Sequence, residues 1–96
     1  MSAMSAVKAI RAIVTGRVQG VGFRYATLSE AQKRDLTGWV RNLSDGRVEV
    51  GAQGPSESVD DFAAWLAIGP RLALVVNVEV APVESDAGLV TFQVRF

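Results

Sequence analysis

Over residues 8–15 the side chains alternate, with Ile10, Ala12 and Val14 on one face and Arg11, Ile13 and Thr15 on the other. This period of two predicts a strand. Gly16, Gly20 and Gly22 then break the pattern. Residues 24–34 contain no Gly or Pro and many good helix formers, which predicts a helix, although its apolar face is narrow: Phe23, Thr27 and Ala31. Residues 36–42 predict a second strand centred on Trp39 and Val40, and Ser44-Asp45-Gly46 a turn. The returning strand carries Val48, Val50 and Ala52 against Arg47, Glu49, Gly51 and Gln53. Past Gly54-Pro55-Ser56, the residues Val59, Phe62, Ala63 and Leu66 recur at helical spacing, and Gly69-Pro70 ends that helix. Val76, Val78 and Val80 alternate with Asn77 and Glu79 up to Pro82. After a turn at Asp86-Ala87-Gly88, the residues Val90, Phe92, Val94 and Phe96 are expected on one face of a last strand.

The order is β-α-β-β-α-β with one additional strand near the C-terminus. It predicts an α+β fold, a ferredoxin-like βαββαβ sandwich in which an antiparallel sheet carries both helices on one face. At 96 residues there is room for one core and no second module. Residues 1–7 are expected to form a flexible N-terminal tail and residues 8–96 the domain, because Met1-Ser2-Ala3-Met4-Ser5-Ala6 lacks the apolar centre of a signal peptide. No run reaches the roughly 20 apolar residues of a bilayer span. The expected setting is therefore cytoplasmic, with no membrane partner.

Composition narrows the chemistry. Ten basic residues balance ten acidic ones, which gives no electrostatic case for nucleic acid. The first strand also lacks the stacked aromatics of RNA-binding sheets with this topology. With no Cys and no His, thiol nucleophiles, phosphohistidine, the Ser-His-Asp triad and most transition-metal sites are excluded. No D-x-D cluster suggests a hard cation, so no metal and no cofactor is expected.

The informative stretch is Gly16-Arg17-Val18-Gln19-Gly20-Val21-Gly22-Phe23-Arg24, between a strand and a helix. Glycines permit a tight path that aims backbone N–H groups at one point, and the helix adds its unpaired first-turn N–H groups. Arg24 can offer a planar guanidinium to two oxygens of an anion. Spacing alone leaves two readings: an oxyanion cradle, or an ordinary glycine-rich turn with a solvated arginine. Asn42 is similarly open. Its amide could hold a water, but position favours a residue that caps or turns the chain before Ser44-Asp45-Gly46.

The stretch Gly16–Arg24 resembles the first signature of the acylphosphatases, and Gly38-Trp39-Val40-Arg41-Asn42 followed by Asp45-Gly46-Arg47-Val48-Glu49 resembles the second. Gln53-Gly54-Pro55, Trp65-Leu66 and Gly69-Pro70 are similar as well, so the resemblance spans nearly the whole chain. It implies hydrolysis of the carboxyl–phosphate bond of acyl phosphates without metal or cofactor; a monomer is the expected state, with other oligomeric states left open. It implies that Arg24 and the backbone of Gly16, Arg17, Val18, Gln19, Gly20 and Val21 bind the phosphoryl group, and that Asn42 orients the attacking water. Inorganic phosphate or sulfate would then fit the same place. Two positions depart from the family pattern: Asp35 stands where Gly is usual, and Ala26 where a bulkier residue is common. Leu72, Leu74, Val75 and Val76 read as ordinary core, the alternative being an edge that a second chain could pair with. Rival functions are a non-enzymatic module of the same fold, a phosphate-binding domain serving a larger transferase, and weak phosphodiester hydrolysis.

Overall fold

In the computed structural model, residues 6–96 are described. Strand β1 (Val7–Arg17) is followed by helix α1 (Phe23–Lys33), strands β2 (Thr37–Asn42) and β3 (Val48–Pro55), helix α2 (Ser56–Leu66), and strands β4 (Leu74–Pro82) and β5 (Phe92–Arg95). The five strands form one sheet in the order β4-β1-β3-β2-β5. Of the expected tail, residues 1–5 lie outside the described residues. Val7 instead begins β1, paired with Pro55, and the carbonyl of Ala6 accepts from Ser56 N at 2.9 Å.

The alternation of the sequence becomes the two sides of this sheet. Ile10, Ala12 and Val14 of β1, Val40 of β2 and Val48, Val50 and Ala52 of β3 are buried together with Phe23, Ala31, Val59, Phe62 and Leu66 of the helices. Phe62 sits centrally, edge-on to Phe92 at 6.0 Å. On the opposite face Glu49 is buried between Arg11 and Arg41, accepting from Arg41 Nε at 2.6 Å and from Arg11 Nε. Burial alone pushes its carboxyl upward, but the two guanidinium bonds outweigh this and hold it below the usual value of 4.5.

Four details differ from expectation. The sheet is mixed, because β5 runs parallel to β2 (Gly38↔Phe92 to Arg41↔Arg95). After β4 the chain crosses to the far edge of the sheet and meets β2 in the same direction. A bulge interrupts the β1–β4 pairing, where Thr15 faces Asn77 and Gly16 faces Val75. Val76 is thus left without a partner and turned out to solvent, while Val75 and Val78 pack on the core, so Val76 and Val78 do not share a face. Leu72, in the turn before β4, and Leu74, the first residue of this edge strand, are exposed as well and not core. In β5 only Phe92 and Val94 reach the core. The helix-covered part of this short edge ends there, leaving Val90 and Phe96 exposed.

Asp35 adopts φ 54°, the left-handed conformation that glycine takes most readily. Its N–H donates to Gln32 O at 3.1 Å and that of Leu36 to Ala31 O at 2.9 Å, the paired bonds of a Schellman motif closing α1.

Candidate active site

Topology brings the two sequence motifs together. β3 is antiparallel to both β1 and β2, pairing Val48 with Val14 on one side and with Asn42 on the other. The C-terminal ends of β1 and β2 therefore lie at one end of the sheet, separated only by the start of β3. Sequence reasoning left this placement open, because it did not fix which strand lies between them.

The loop joining β1 to α1 is held against the β2–β3 turn by one side chain. Gln19 Nε2 donates to Leu43 O at 2.7 Å and to Arg47 O at 2.9 Å. The turn itself closes through Leu43 N to Arg47 O at 2.8 Å and Gly46 N to Leu43 O at 3.2 Å, with Asp45 Oδ1 accepting from Arg47 N at 3.1 Å. The bonds from Arg47 hold the exposed Asp45 carboxyl below its usual value of 3.8. None of these bonds uses the side chain of Asn42, so it does not close the turn. Asn42 Oδ1 is buried and has no hydrogen-bond partner among the described residues.

A cavity of about 140 Å³ lies between loop and strand end, lined by Val18, Gly20, Gly22, Phe23, Arg24, Tyr25 and Asn42. Gly20 (φ 73°) and Gly22 (φ 77°) turn the loop in the left-handed region, and a Cβ at either would meet nothing within 4 Å. Their requirement is conformational rather than spatial. Gly22 is also the N-cap of α1, with no side-chain cap and no acidic residue in the first turn. The start of α1, which carries unpaired N–H groups and the positive end of the helix dipole, thus lines the cavity through Gly22, Phe23, Arg24 and Tyr25, and among the described residues no carboxylate lines it with them.

Phe23, buried against Trp65 with ring centroids 6.0 Å apart, anchors the start of the helix. The next residue, Arg24, is set at the cavity. Its Nη1 donates to Arg95 O at 3.2 Å, and its guanidinium carbon lies 4.6 Å from the centre of the Phe96 ring. Among the described residues no carboxylate is paired with Arg24, whereas Arg11, Arg34, Arg41 and Arg47 each have one. Arg24 keeps its charge available for an external anion.

Of the residues singled out from sequence, the cavity gathers Val18, Gly20, Arg24 and Asn42. Gly16 and Arg17 do not line it; they belong to β1 and pair with Val75 and Leu74 of β4. A Cβ at Gly16 would sit 2.1 Å from Leu74 O, which gives that glycine a packing reason of its own. Gln19 and Val21 also lie outside the lining, the first engaged with the β2–β3 turn and the second packed on the core. Tyr25, Arg95 and Phe96 were not predicted to belong here. A first-turn position beside Arg24 could have signalled Tyr25, but only the tertiary fold brings the end of β5 to this helix. Among the described residues no group of His, Cys, Asp or Glu could hold a metal.

The fold and this site define an α+β domain with an electropositive cradle at one end of its sheet. A family model described as acylphosphatase matches residues 10–94. An acylphosphatase of Nostoc sp. is 51% identical over 82 residues, covering 85% of this chain and 80% of that protein. One from Pseudomonas aeruginosa is 52% identical over 83 residues, covering 84% of this chain and 91% of its own. The crystal structure of acylphosphatase from Bacillus subtilis superposes with a TM-score of 0.88 at 41% identity, over 95% of this chain and 100% of that one. A segment amounting to 13% of full-length HypF superposes at 0.85 with 23% identity, a likeness of fold. The chain belongs to the acylphosphatase family, and its activity is the hydrolysis of acyl phosphates.

Proposed function

We propose that the cavity binds the phosphoryl group of an acyl phosphate through Arg24, the N–H groups of the loop around Gly20 and the first turn of α1, and that Asn42 holds the attacking water. The observation that carries this reading is that the buried Oδ1 of Asn42, without a hydrogen-bond partner among the described residues, lines the same small cavity as Arg24, whose guanidinium meets no carboxylate among them. A buried acceptor without a partner is costly, and a water donating to it removes that cost. That water is then within one cavity of the phosphorus.

The reaction needs little else. The water oxygen bonds to phosphorus, the bond from phosphorus to the acyl oxygen breaks, and the carboxylate leaves with the bonding pair. A carboxylate is stable as an anion, so no general acid is required. The proton of the water passes to a phosphoryl oxygen, which fits a site lined by no side-chain base. Charge spread over the equatorial oxygens meets Arg24 and the N–H donors, so positioning and electrostatics supply most of the acceleration. Inorganic phosphate or sulfate competes for the same cradle.

The test is phosphate release from benzoyl phosphate, without added metal, by the wild type, Arg24→Ala and Asn42→Ala. Both variants are expected to lose at least about a hundredfold in kcat/KM, the usual scale for removing one such group. Full activity in a folded Arg24→Ala variant would overturn the assignment.

A further inference from the structure

Resting on the reading of Arg24 as the phosphoryl anchor, we propose that Tyr25 is the residue that receives the acyl group, and that it makes the site selective for apolar, preferably aromatic, acyl phosphates. The phosphoryl end of the substrate occupies the Arg24–Asn42 side of the cavity, so the acyl end extends along the remaining lining. That lining is Val18, Phe23 and Tyr25, with glycine backbone between them. Val18 and Phe23 are buried to 1% exposure and form the floor. Tyr25 is the one large lining side chain still open to solvent, at 59% exposure, and it stands at the mouth.

The chemistry of this mouth is one-sided. Apart from Arg24, no charged side chain lines the cavity. An acyl chain with its own carboxylate or ammonium therefore finds no counter-ion beyond the arginine already committed to phosphate. A flat apolar acyl group instead covers the exposed Tyr25 ring, and offset stacking of two aromatic groups adds to the area removed from water. Tyr25 is also fixed to the reacting centre by the chain itself. It follows Arg24 directly in the first turn of α1, whose start is pinned by Phe23 against Trp65. Phe96 packs on Arg24 itself, its ring centre 4.6 Å from the guanidinium carbon. That ring is a positioning residue, holding the plane of the anchor while Tyr25 reads the acyl group.

The two roles separate in one experiment. Steady-state kcat and KM are measured for acetyl phosphate and benzoyl phosphate, with the inhibition constant of inorganic phosphate, for the wild type, Tyr25→Ala, Tyr25→Phe and Phe96→Ala. Taking each variant against the wild type cancels the different intrinsic reactivities of the two substrates. Tyr25→Ala is expected to lose about three- to tenfold in kcat/KM on benzoyl phosphate, mainly through KM, the range of one aromatic pair. Acetyl phosphate turnover and phosphate inhibition are expected to stay close to wild type, and Tyr25→Phe to keep the benzoyl preference. Phe96→Ala is expected to weaken both substrates and phosphate alike. Equal losses on both substrates in Tyr25→Ala, or no loss on either, would overturn the proposal. Failure of the underlying reading looks different: Arg24→Ala would then leave phosphate inhibition unchanged, whatever Tyr25 does.

Discussion

Replacing Gln19 by Ala tests how the loop is coupled to the strand end that carries Asn42. In the native fold Gln19 Nε2 serves two carbonyls at once, Leu43 O at 2.7 Å and Arg47 O at 2.9 Å, in partly buried surroundings. Each neutral bond of this kind contributes about 1 kcal/mol net, so their joint loss is worth about 2 kcal/mol. For a domain of this length that lowers Tm by roughly 10 °C, readable by circular dichroism or calorimetry. The bonds tie the β1–α1 loop to the β2–β3 turn, so their removal also loosens Arg24 relative to Asn42. A misplacement of well under 1 Å at a site that works by positioning costs about tenfold in kcat. The inhibition constant of inorganic phosphate is expected to weaken, but by less than kcat falls, since the Gln19 amide nitrogen donates to the turn and acts on the anion only through the loop it braces. Gln19→Glu should be worse than Gln19→Ala, because a carboxylate then faces two carbonyl oxygens. If Gln19→Ala keeps the wild-type Tm but loses phosphate affinity, the residue is a ligand of the anion and the coupling argument is refuted.

Gly16→Ala should lower stability by about 2–4 kcal/mol in urea unfolding, because the new Cβ would meet Leu74 O at 2.1 Å and the φ of 137° is strained for any L side chain. Asp35→Gly should raise stability by about 0.5–1 kcal/mol, since its φ of 54° suits glycine and the Schellman bonds are backbone only. Glu49→Gln should destabilise by about 2 kcal/mol at pH 7, with Arg11 and Arg41 half-exposed and so partly resolvated by water. Because the folded carboxyl is held below 4.5, its contribution is complete above that pH and fades as pH falls through the lower folded value. The difference in Tm between wild type and Glu49→Gln should accordingly shrink only below about pH 4.5, and a gap that shrinks on raising the pH instead would reverse the assigned sign. Hydrolysis in heavy-oxygen water should place the label in inorganic phosphate and not in the carboxylate.

Much of the fold was legible because period and punctuation agree along the chain. The i, i+3, i+4, i+7 series through Val59, Phe62, Ala63 and Leu66 became the buried face of α2, and the alternation in β1 and β3 became the core face of the sheet. The bulge at Val76 was not legible, because it arises from the approach of β4 to Gly16 rather than from anything local in the valine run. The direction of β5 was hidden for a similar reason, since alternation fixes a strand but not its neighbour. At the site, spacing alone left the glycines and Arg24 between an anion cradle and a solvated turn, and the resemblance to the acylphosphatase signatures is what singled them out. Asn42 was not separable from a turn residue until topology placed the end of β2 beside the loop. Gly16 and Gln19 sit in the same signature, yet the fold gives one a packing task and the other a bracing task. Motif membership alone does not distinguish bracing from contact with the anion.

In the proposed division of labour, Arg24 would hold the phosphoryl group and Asn42 the water. The most direct measurement is kcat for benzoyl phosphate together with the inhibition constant of inorganic phosphate, in folded Arg24→Ala and Asn42→Ala. Arg24→Ala is expected to lose both turnover and phosphate binding, while Asn42→Ala loses at least about a hundredfold in kcat and still binds phosphate within about threefold of wild type. Near-wild-type kcat in Asn42→Ala, or unchanged phosphate binding in Arg24→Ala, would contradict it.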